Sequence, residues 1–384
     1  MKKVYLDHAS TTHIGAEVLQ SMMPYLTTHF GNASSSHGFG REAEKAVATA
    51  RAKIARAINA EPSEIFFTSG ATEANNWVMN GLLRGSESKR ALVSRIEHPS
   101  IMDTVKHLEG EGYKIEYIDV DKDGIIVVSD LLSKLGRPAA LVSVLTANNE
   151  IGTVQYINTI ANLCYERGVL FHTDATQAIG SVGIDVKGMK IDALTLSAHK
   201  IYGPKGIGAL YIRNGVKMDK FMHGGQGERN RRGGTQNVPA IVGFGTAVDI
   251  AMRDSSVNNG RIKSLRDYMI SQIMARIEFA SLNGHRTQRL ANNVNFSFSG
   301  VDGESVMAML DMDGIAVSTG SACTSGTLEP SHVLMAIGVM PNLVKSSVRF
   351  TLGRSTTKDD IDYTVTKLES IIKRLRSLSH IRVS

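Results

Sequence analysis

Short, continuously apolar runs recur along this chain, each broken off by a polar cluster, and stretches with helical spacing separate them. The runs at 91–94, 141–144 and 169–171 are rich in β-formers, while apolar residues across 43–58 return at the period of a helix. A strand that is apolar on both faces must be covered on both, which parallel strands joined by helices achieve. The pattern therefore predicts an α/β fold with a mostly parallel sheet clad in helices. At 384 residues the chain is too long for one simple core, so a second domain is expected. Near residue 255 the texture changes: Asp254-Ser255-Ser256-Val257-Asn258-Asn259-Gly260 reads as a polar, turn-rich connection before a long helix from Arg261. Further on, the alternation in Val294-Asn295-Phe296-Ser297-Phe298 points to an antiparallel strand of a smaller α+β domain.

The polar clusters that end the runs carry the chemistry. The run at 192–196 leads into Ser197-Ala198-His199-Lys200, and glycines with a proline then turn the chain in Gly203-Pro204-Lys205-Gly206. A lysine held at the end of a buried strand is poorly placed as a solvated charge. Burial lowers an ammonium pKa and frees the amine as a nucleophile, as a Schiff-base lysine requires. One strand earlier, Val169-Leu170-Phe171-His172-Thr173-Asp174 again delivers an acid to a strand end. Alone, Asp174 reads as a buried helix cap. Paired with Lys200 it matches what pyridoxal phosphate needs, a carboxylate on the pyridine nitrogen and an amine for the aldehyde. Upstream, Ile65-Phe66-Phe67-Thr68-Ser69-Gly70-Ala71-Thr72-Glu73 reads strand, glycine turn, helix start, with Ser69 or Thr72 as the cap. Such a helix N-terminus can cradle a phosphate.

Only two cysteines occur, Cys164 and Cys323, which excludes a disulfide framework and points to a reducing compartment, the cytoplasm. Cys164 sits in a helical pattern and reads as core. Cys323, in Gly320-Ser321-Ala322-Cys323-Thr324-Ser325-Gly326, has no apolar face to bury and reads as an exposed thiol on a mobile loop. No uncharged apolar run approaches the roughly 18 residues that would span a membrane. The net charge of +6 invites a nucleic-acid reading, yet the densest basic stretch, Arg229-Asn230-Arg231-Arg232, lacks interleaved aromatics for base stacking. A basic surface for an anionic cofactor or an acidic partner fits better. His172 and Asp174, two apart on a strand with no third ligand at suitable spacing, do not make a metal site.

Over essentially its whole length the chain resembles cysteine desulfurases of the NifS/IscS type, fold-type I pyridoxal-phosphate enzymes of the class V aminotransferase group. The likeness runs from Tyr5-Leu6-Asp7-His8-Ala9-Ser10 through Thr68-Ser69-Gly70-Ala71-Thr72-Glu73, Glu97-His98, Asn148-Asn149-Glu150 and His172-Thr173-Asp174-Ala175-Thr176-Gln177. It continues through Ser197-Ala198-His199-Lys200, Gly233-Gly234-Thr235, Gly320-Ser321-Ala322-Cys323 and Arg349-Phe350-Thr351-Leu352-Gly353-Arg354. The resemblance implies a large cofactor-binding domain over 16–256 and a small domain made of 1–15 with 257–384. It implies that Lys200 holds pyridoxal phosphate and shuttles the Cα proton. Asp174 would face the pyridine nitrogen, Gln177 the phenolic oxygen and His98 the ring. Ala71, Thr72, Ser197 and His199 would surround the phosphate, with Thr235 reaching that of a partner subunit in a homodimer. Arg349, helped by Asn149, would bind the carboxylate of L-cysteine.

On the same footing, Cys323 would take the substrate sulfur as a persulfide, leaving alanine. The sulfur would pass to an iron–sulfur scaffold or another acceptor protein, for cluster assembly, other sulfur-containing cofactors or tRNA thiolation. No intrinsic metal is implied, though Cys323 is a candidate transient iron–sulfur ligand. Two departures stand out. Ala33 replaces a proline usual after Gly31-Asn32, and the chain stops at Ser384, short of the tail that housekeeping members use to dock the scaffold. Two other readings stay open on the residues alone. One is a selenocysteine lyase or small-substrate aminotransferase of the same fold. The other is a cofactor-independent thiol hydrolase pairing Cys323 with a histidine, which would leave Lys200 and Asp174 without a purpose.

Overall fold

The computed structural model describes residues 2–319 and 330–378. Its main sheet has seven strands, ordered in space Ile65–Thr68, Gly208–Ile212, Ala193–Ser197, Leu170–Asp174, Leu141–Ser143, Arg90–Ser94 and Lys114–Ile118. Gly208–Ile212 runs antiparallel to both neighbours, and every other pairing is parallel. Side chains alternate between two apolar layers, as strand geometry requires. Phe67, Leu194 and Leu196 pack against the helices Ala16–Thr27, Gly38–Ala57 and Val238–Arg253 through Val18, Ile54 and Phe244. Phe66, Ala193 and Leu210 face the other way, onto Trp77, Val78 and Ile101 of the helices Ala71–Arg84 and Pro99–Gly110. Gly245 lets Val238–Arg253 close on Gly38–Ala57, since a Cβ there would lie 2.8 Å from the Ala50 Cα.

A second sheet, ordered Ser318–Thr319, Ser347–Thr351, Asn293–Phe298, Ala280–Leu282, is antiparallel throughout. Its apolar face meets the helices Ser255–Arg276, Gly303–Met312 and Lys358–Leu378 through Met269, Ile273, Leu310 and Leu368. The alternation at 294–298 is a strand buried along its whole length. Its polar members turn toward the main sheet's loops, where Asn293 and Asn295 donate to the Glu150 carbonyl at 3.1 and 3.0 Å. Val4–Tyr5 pairs in parallel with Ile315–Ala316, and Val4 and Leu6 join the core of the second sheet.

The stretch 254–260 departs from the expectation of a turn-rich connection. Ser255–Arg276 is one helix, entered directly from Val238–Arg253 through Asp254. Ser256, Val257 and Gly260 lie on its exposed side, so the polar texture marks a solvated helix face. Cys164 lies fully buried in Ile157–Tyr165, as its apolar surroundings suggested, and burial pushes its thiol pKa up to about 12.

Candidate active site

Parallel strands end on one edge of the main sheet, and their C-terminal loops converge there on a cavity of about 500 Å³, a size usual for small-molecule sites. Its walls take Ala71 and Thr72 from the turn after Ile65–Thr68, His98 from beyond Arg90–Ser94, and Asn149 from beyond Leu141–Ser143. Asp174 ends Leu170–Asp174, Gln177 follows it, and Ser197, His199 and Lys200 close Ala193–Ser197. Nine of the residues singled out in the sequence thus meet in one place.

Lys200 leaves a single tight turn, Ala198–Lys200, and its Nζ donates to the carbonyls of Ala9 and Ser10 at 2.6 and 2.7 Å. The segment after the first strand is fastened across the cavity mouth by further bonds. Gln177 Nε2 donates to the Ala9 carbonyl at 3.0 Å, and Thr12 gives its N–H and Oγ1 to the His199 carbonyl at 3.0 and 2.9 Å. Burial, with Lys200 and Lys205 nearby, lowers the His199 pKa to about 4, so its ring is neutral near pH 7.

Asp174 is buried and its two oxygens are separately held. Oδ1 accepts the Thr176 N–H at 2.9 Å and Oδ2 accepts Asn75 Nδ2 at 2.7 Å. The capping-type bond and the place in the cavity wall coexist. The same is true of His98, which is the N-cap of Pro99–Gly110 and accepts the Ser100 N–H on Nδ1 at 3.1 Å. That bond leaves Nε2 to carry the proton of the neutral ring. Burial lowers the His98 pKa, Lys200 and His332 add to this, and Asp174 opposes it.

Helix Ala71–Arg84 starts at Gly70 with no side-chain cap, so neither Ser69 nor Thr72 plays the role expected of it. Glu73 instead folds back to accept the Ser69 N–H at 2.8 Å. The uncapped first turn lines the cavity together with Ser197, His199, Lys205 and Gly206. Gly208 keeps this turn in place, because a Cβ there would sit 2.7 Å from the Gly70 carbonyl carbon. A helix N-terminus left open beside a histidine and a lysine suits a phosphate, and a carboxylate and a lysine amine share the cavity with it. These are the groups pyridoxal phosphate requires, and the site fits that cofactor.

Three expected residues do not line this cavity. Arg349 lies beneath it, fully buried, with Nη2 bonded to Asp7 Oδ1 and Ser10 Oγ at 2.9 Å each and Nη1 to the Asn149 carbonyl at 3.1 Å. Its Nε has no partner among the described residues. Thr235 is exposed and stands clear of its own chain's cavity. Cys323 lies outside the described residues, beyond Thr319, whose neighbour Ser318 is paired with Arg349. His172 is buried below Asp174 between Ser143 Oγ and Thr195 Oγ1 at 2.9 and 3.1 Å, and no metal-binding cluster occurs among the described residues. The basic stretch near 230 is bonded inward. Arg232 forms a two-pronged pair with Glu73 at 2.7 and 3.0 Å, and Arg229 lies over the Phe66 ring. Asn75, Thr176 and Lys205 went unnoticed in the sequence. Asn75 could have been suspected, as a polar residue on an otherwise apolar helix face beside Trp77.

The aminotransferase class-V family model matches residues 4–364. A cysteine desulfurase IscS of Clostridium botulinum is 47% identical over 382 residues, covering 98% of this chain and 96% of its own. A solved NifS-like protein superposes with a TM-score of 0.91 at 34% identity, covering 97% of this chain and 100% of its own. A structure of SspA in complex with cysteine gives 0.80 at 34% identity over 91% and 99% of the two chains.

Proposed function

We propose, from the premise that the chain belongs to the class-V aminotransferase family and is a pyridoxal-phosphate-dependent cysteine desulfurase, a division of roles among its own residues. Lys200 holds the cofactor aldehyde, Asp174 its ring nitrogen, Gln177 its phenolic oxygen, and His98 lies against the ring. Ala71, Thr72, Ser197 and His199 take the phosphate. When bound, the cofactor supplies an electron sink for the substrate's Cα. The Lys200 amine moves the proton at Cα, and neutral His98, with its proton on Nε2, moves a second one. Arg349 binds the substrate carboxylate once Ser10 and Asp7 yield part of its guanidinium, with Asn149 beside it.

The Cys323 thiolate attacks the substrate sulfur. An S–S bond forms, the C–S bond breaks, and the carbon takes up a proton, so L-cysteine leaves as L-alanine and a persulfide remains on the enzyme. We assign the persulfide sulfur to an iron–sulfur scaffold or another acceptor protein, in keeping with the IscS relatives. Thr235, exposed and clear of its own cavity, reaches the partner's phosphate in a symmetric homodimer. Residues 16–256 form the large domain and 1–15 with 257–384 the small one. Among the described residues no helix is long and apolar enough to cross a membrane, which accords with a cytoplasmic enzyme.

The observation that carries this reading is the meeting of Lys200 and Asp174 at the ends of adjacent parallel strands in one cavity. Borohydride reduction of the cofactor-loaded protein followed by peptide mapping should fix the cofactor on Lys200. Label on any other lysine would defeat the assignment.

A further inference from the structure

A second cavity, of about 80 Å³, shares Lys200 in its wall with the first but is otherwise built from different residues. It lies at the junction of the two sheets. Ile179 and Gly180 come from beyond the main sheet, Asn292 and Gly353 flank strands of the second, and His8 belongs to the N-terminal segment. His8 is only 4% exposed, and neither ring nitrogen makes a well-formed hydrogen bond with a described residue, the Tyr5 backbone acting on the ring without meeting that geometry. The ring cannot turn away to find one. Gly353 is pressed so close that a Cβ there would come within 2.1 Å of the imidazole, and the Tyr5 ring meets its edge at 4.9 Å. Buried polar atoms without partners are rare in native proteins, and each is a reason to ask what ligand they meet.

The rest of the wall supplies donors and a positive charge. Arg354 is half-buried over the Tyr202 ring at 4.5 Å, and its backbone N–H is held by the Tyr202 hydroxyl at 2.7 Å. Its guanidinium donates to no acceptor among the described residues. The nearest carboxylates, Asp254 and Glu17, are engaged by Arg253. Asn258 and Asn292 also line the cavity, and the cavity contains no carboxylate. A guanidinium, a buried imidazole and amides facing a small space without an acid call for an anion. The space equals roughly two to three water volumes, which admits a tetrahedral oxyanion and excludes a nucleotide.

We propose that this cavity is a binding site for a small inorganic oxyanion of the sulfate, phosphate or sulfite class, held by Arg354 and His8 with Asn258 at the rim. Because segments that flank both sheets meet in its wall, the bound anion ties them together and stabilises the folded enzyme by mass action.

The test titrates inorganic sulfate into the holoenzyme in chloride buffer, where the cofactor already fills the phosphate site, and follows heat and Tm. Saturable binding at one site per chain with a rising Tm is expected. Arg354→Gln should weaken it by about tenfold or more, the effect of losing a charge-assisted hydrogen bond. Asn258→Asp sets a carboxylate at the rim in the first turn of Ser255–Arg276, where helices tolerate acids. It should abolish binding while leaving cofactor absorbance and desulfuration unchanged, so the test survives if Arg354→Gln folds poorly. Absence of saturable binding would mean that the cavity holds only water and would overturn the proposal. Sulfate that competes with L-cysteine and binds Asn258→Asp as well as the parent would place the anion in the larger cavity, and would overturn it equally.

Discussion

Asp174→Asn separates the structural duty of this carboxylate from its chemical one. The amide oxygen can keep the Thr176 N–H bond now made by Oδ1 at 2.9 Å. Its nitrogen would then face Asn75 Nδ2, a donor that sits 2.7 Å from Oδ2. Asn75 can answer by rotating its amide, since its Oδ1 has no partner among the described residues. That rotation also moves Nδ2 away from Ser100 Oγ, which it now meets at 2.9 Å, so two hydrogen bonds are rearranged and the fold should lose less than about 3 kcal/mol. The chemical cost is larger. Removing one member of a buried charged pair typically costs about 3–5 kcal/mol, and each 1.36 kcal/mol is a factor of ten in rate, which gives a loss of about a hundredfold to several thousandfold. Alanine release from L-cysteine at saturating cofactor measures it, beside a thermal melt of the same sample. A variant that melts with the parent and turns over within about threefold of it would show that Asp174 is a cap and nothing more.

Cys323→Ser replaces a thiol of pKa about 8.5 with a hydroxyl that scarcely ionises. It should still bind cofactor and change its spectrum with L-cysteine, yet yield only a trace of alanine and no persulfide by mass spectrometry. Lys200→Ala should fail earlier, before Cα proton exchange with solvent deuterium. Full activity of Cys323→Ser would favour the lyase or aminotransferase reading. Thr235→Ala should weaken cofactor retention in a dimer that still sediments as one; a fully active monomer would contradict the shared phosphate site. Burial raises the Glu97 pKa well above the usual range, the Leu145 N–H opposes this and Asp174 reinforces it. The folded state therefore keeps a proton that the unfolded chain has lost, and stability falls as pH rises from about 4.5 toward the folded value. Glu97→Gln removes that loss while keeping an acceptor for the Leu145 N–H. Its urea midpoint should gain on the parent between pH 4 and pH 8, and a constant difference would refute the assignment.

Much of the site was legible because an α/β sheet turns order along the chain into position. A run that must be buried on both faces has to end somewhere, and whatever ends it stands at the sheet's edge. Asp174 and Lys200 each follow such a run, and the turn and helix start at Gly70-Ala71-Thr72 follow another, so reading where the runs stop brought these together; His98, assigned through the resemblance, stands beyond the run at 91–94. What escaped depends on contacts between parts of the chain far apart, or on one side chain answering another. Nothing local marks Asn75 as the donor to Asp174. The helix expected from Arg261 begins earlier, at Ser255, and those first turns were hidden for a different reason, because local turn propensity is overridden when a solvated face needs only polar residues.

Arg349 shows most clearly where local reading stops. The role proposed for it at the substrate carboxylate rests on the family resemblance, which is silent about what the guanidinium does meanwhile. In the fold it is sealed against Asp7 and Ser10, brought to it by a segment from the other end of the chain. A buried guanidinium left without acceptors would cost several kcal/mol, so Asp7 holds the side chain in readiness and competes with the substrate for it. The same segment carries the Ala9 and Ser10 carbonyls that hold Lys200 Nζ. In the role proposed for Arg349, engagement of a carboxylate requires Asp7 and Ser10 to yield, so substrate binding is coupled to a shift of the segment that crosses the cavity mouth.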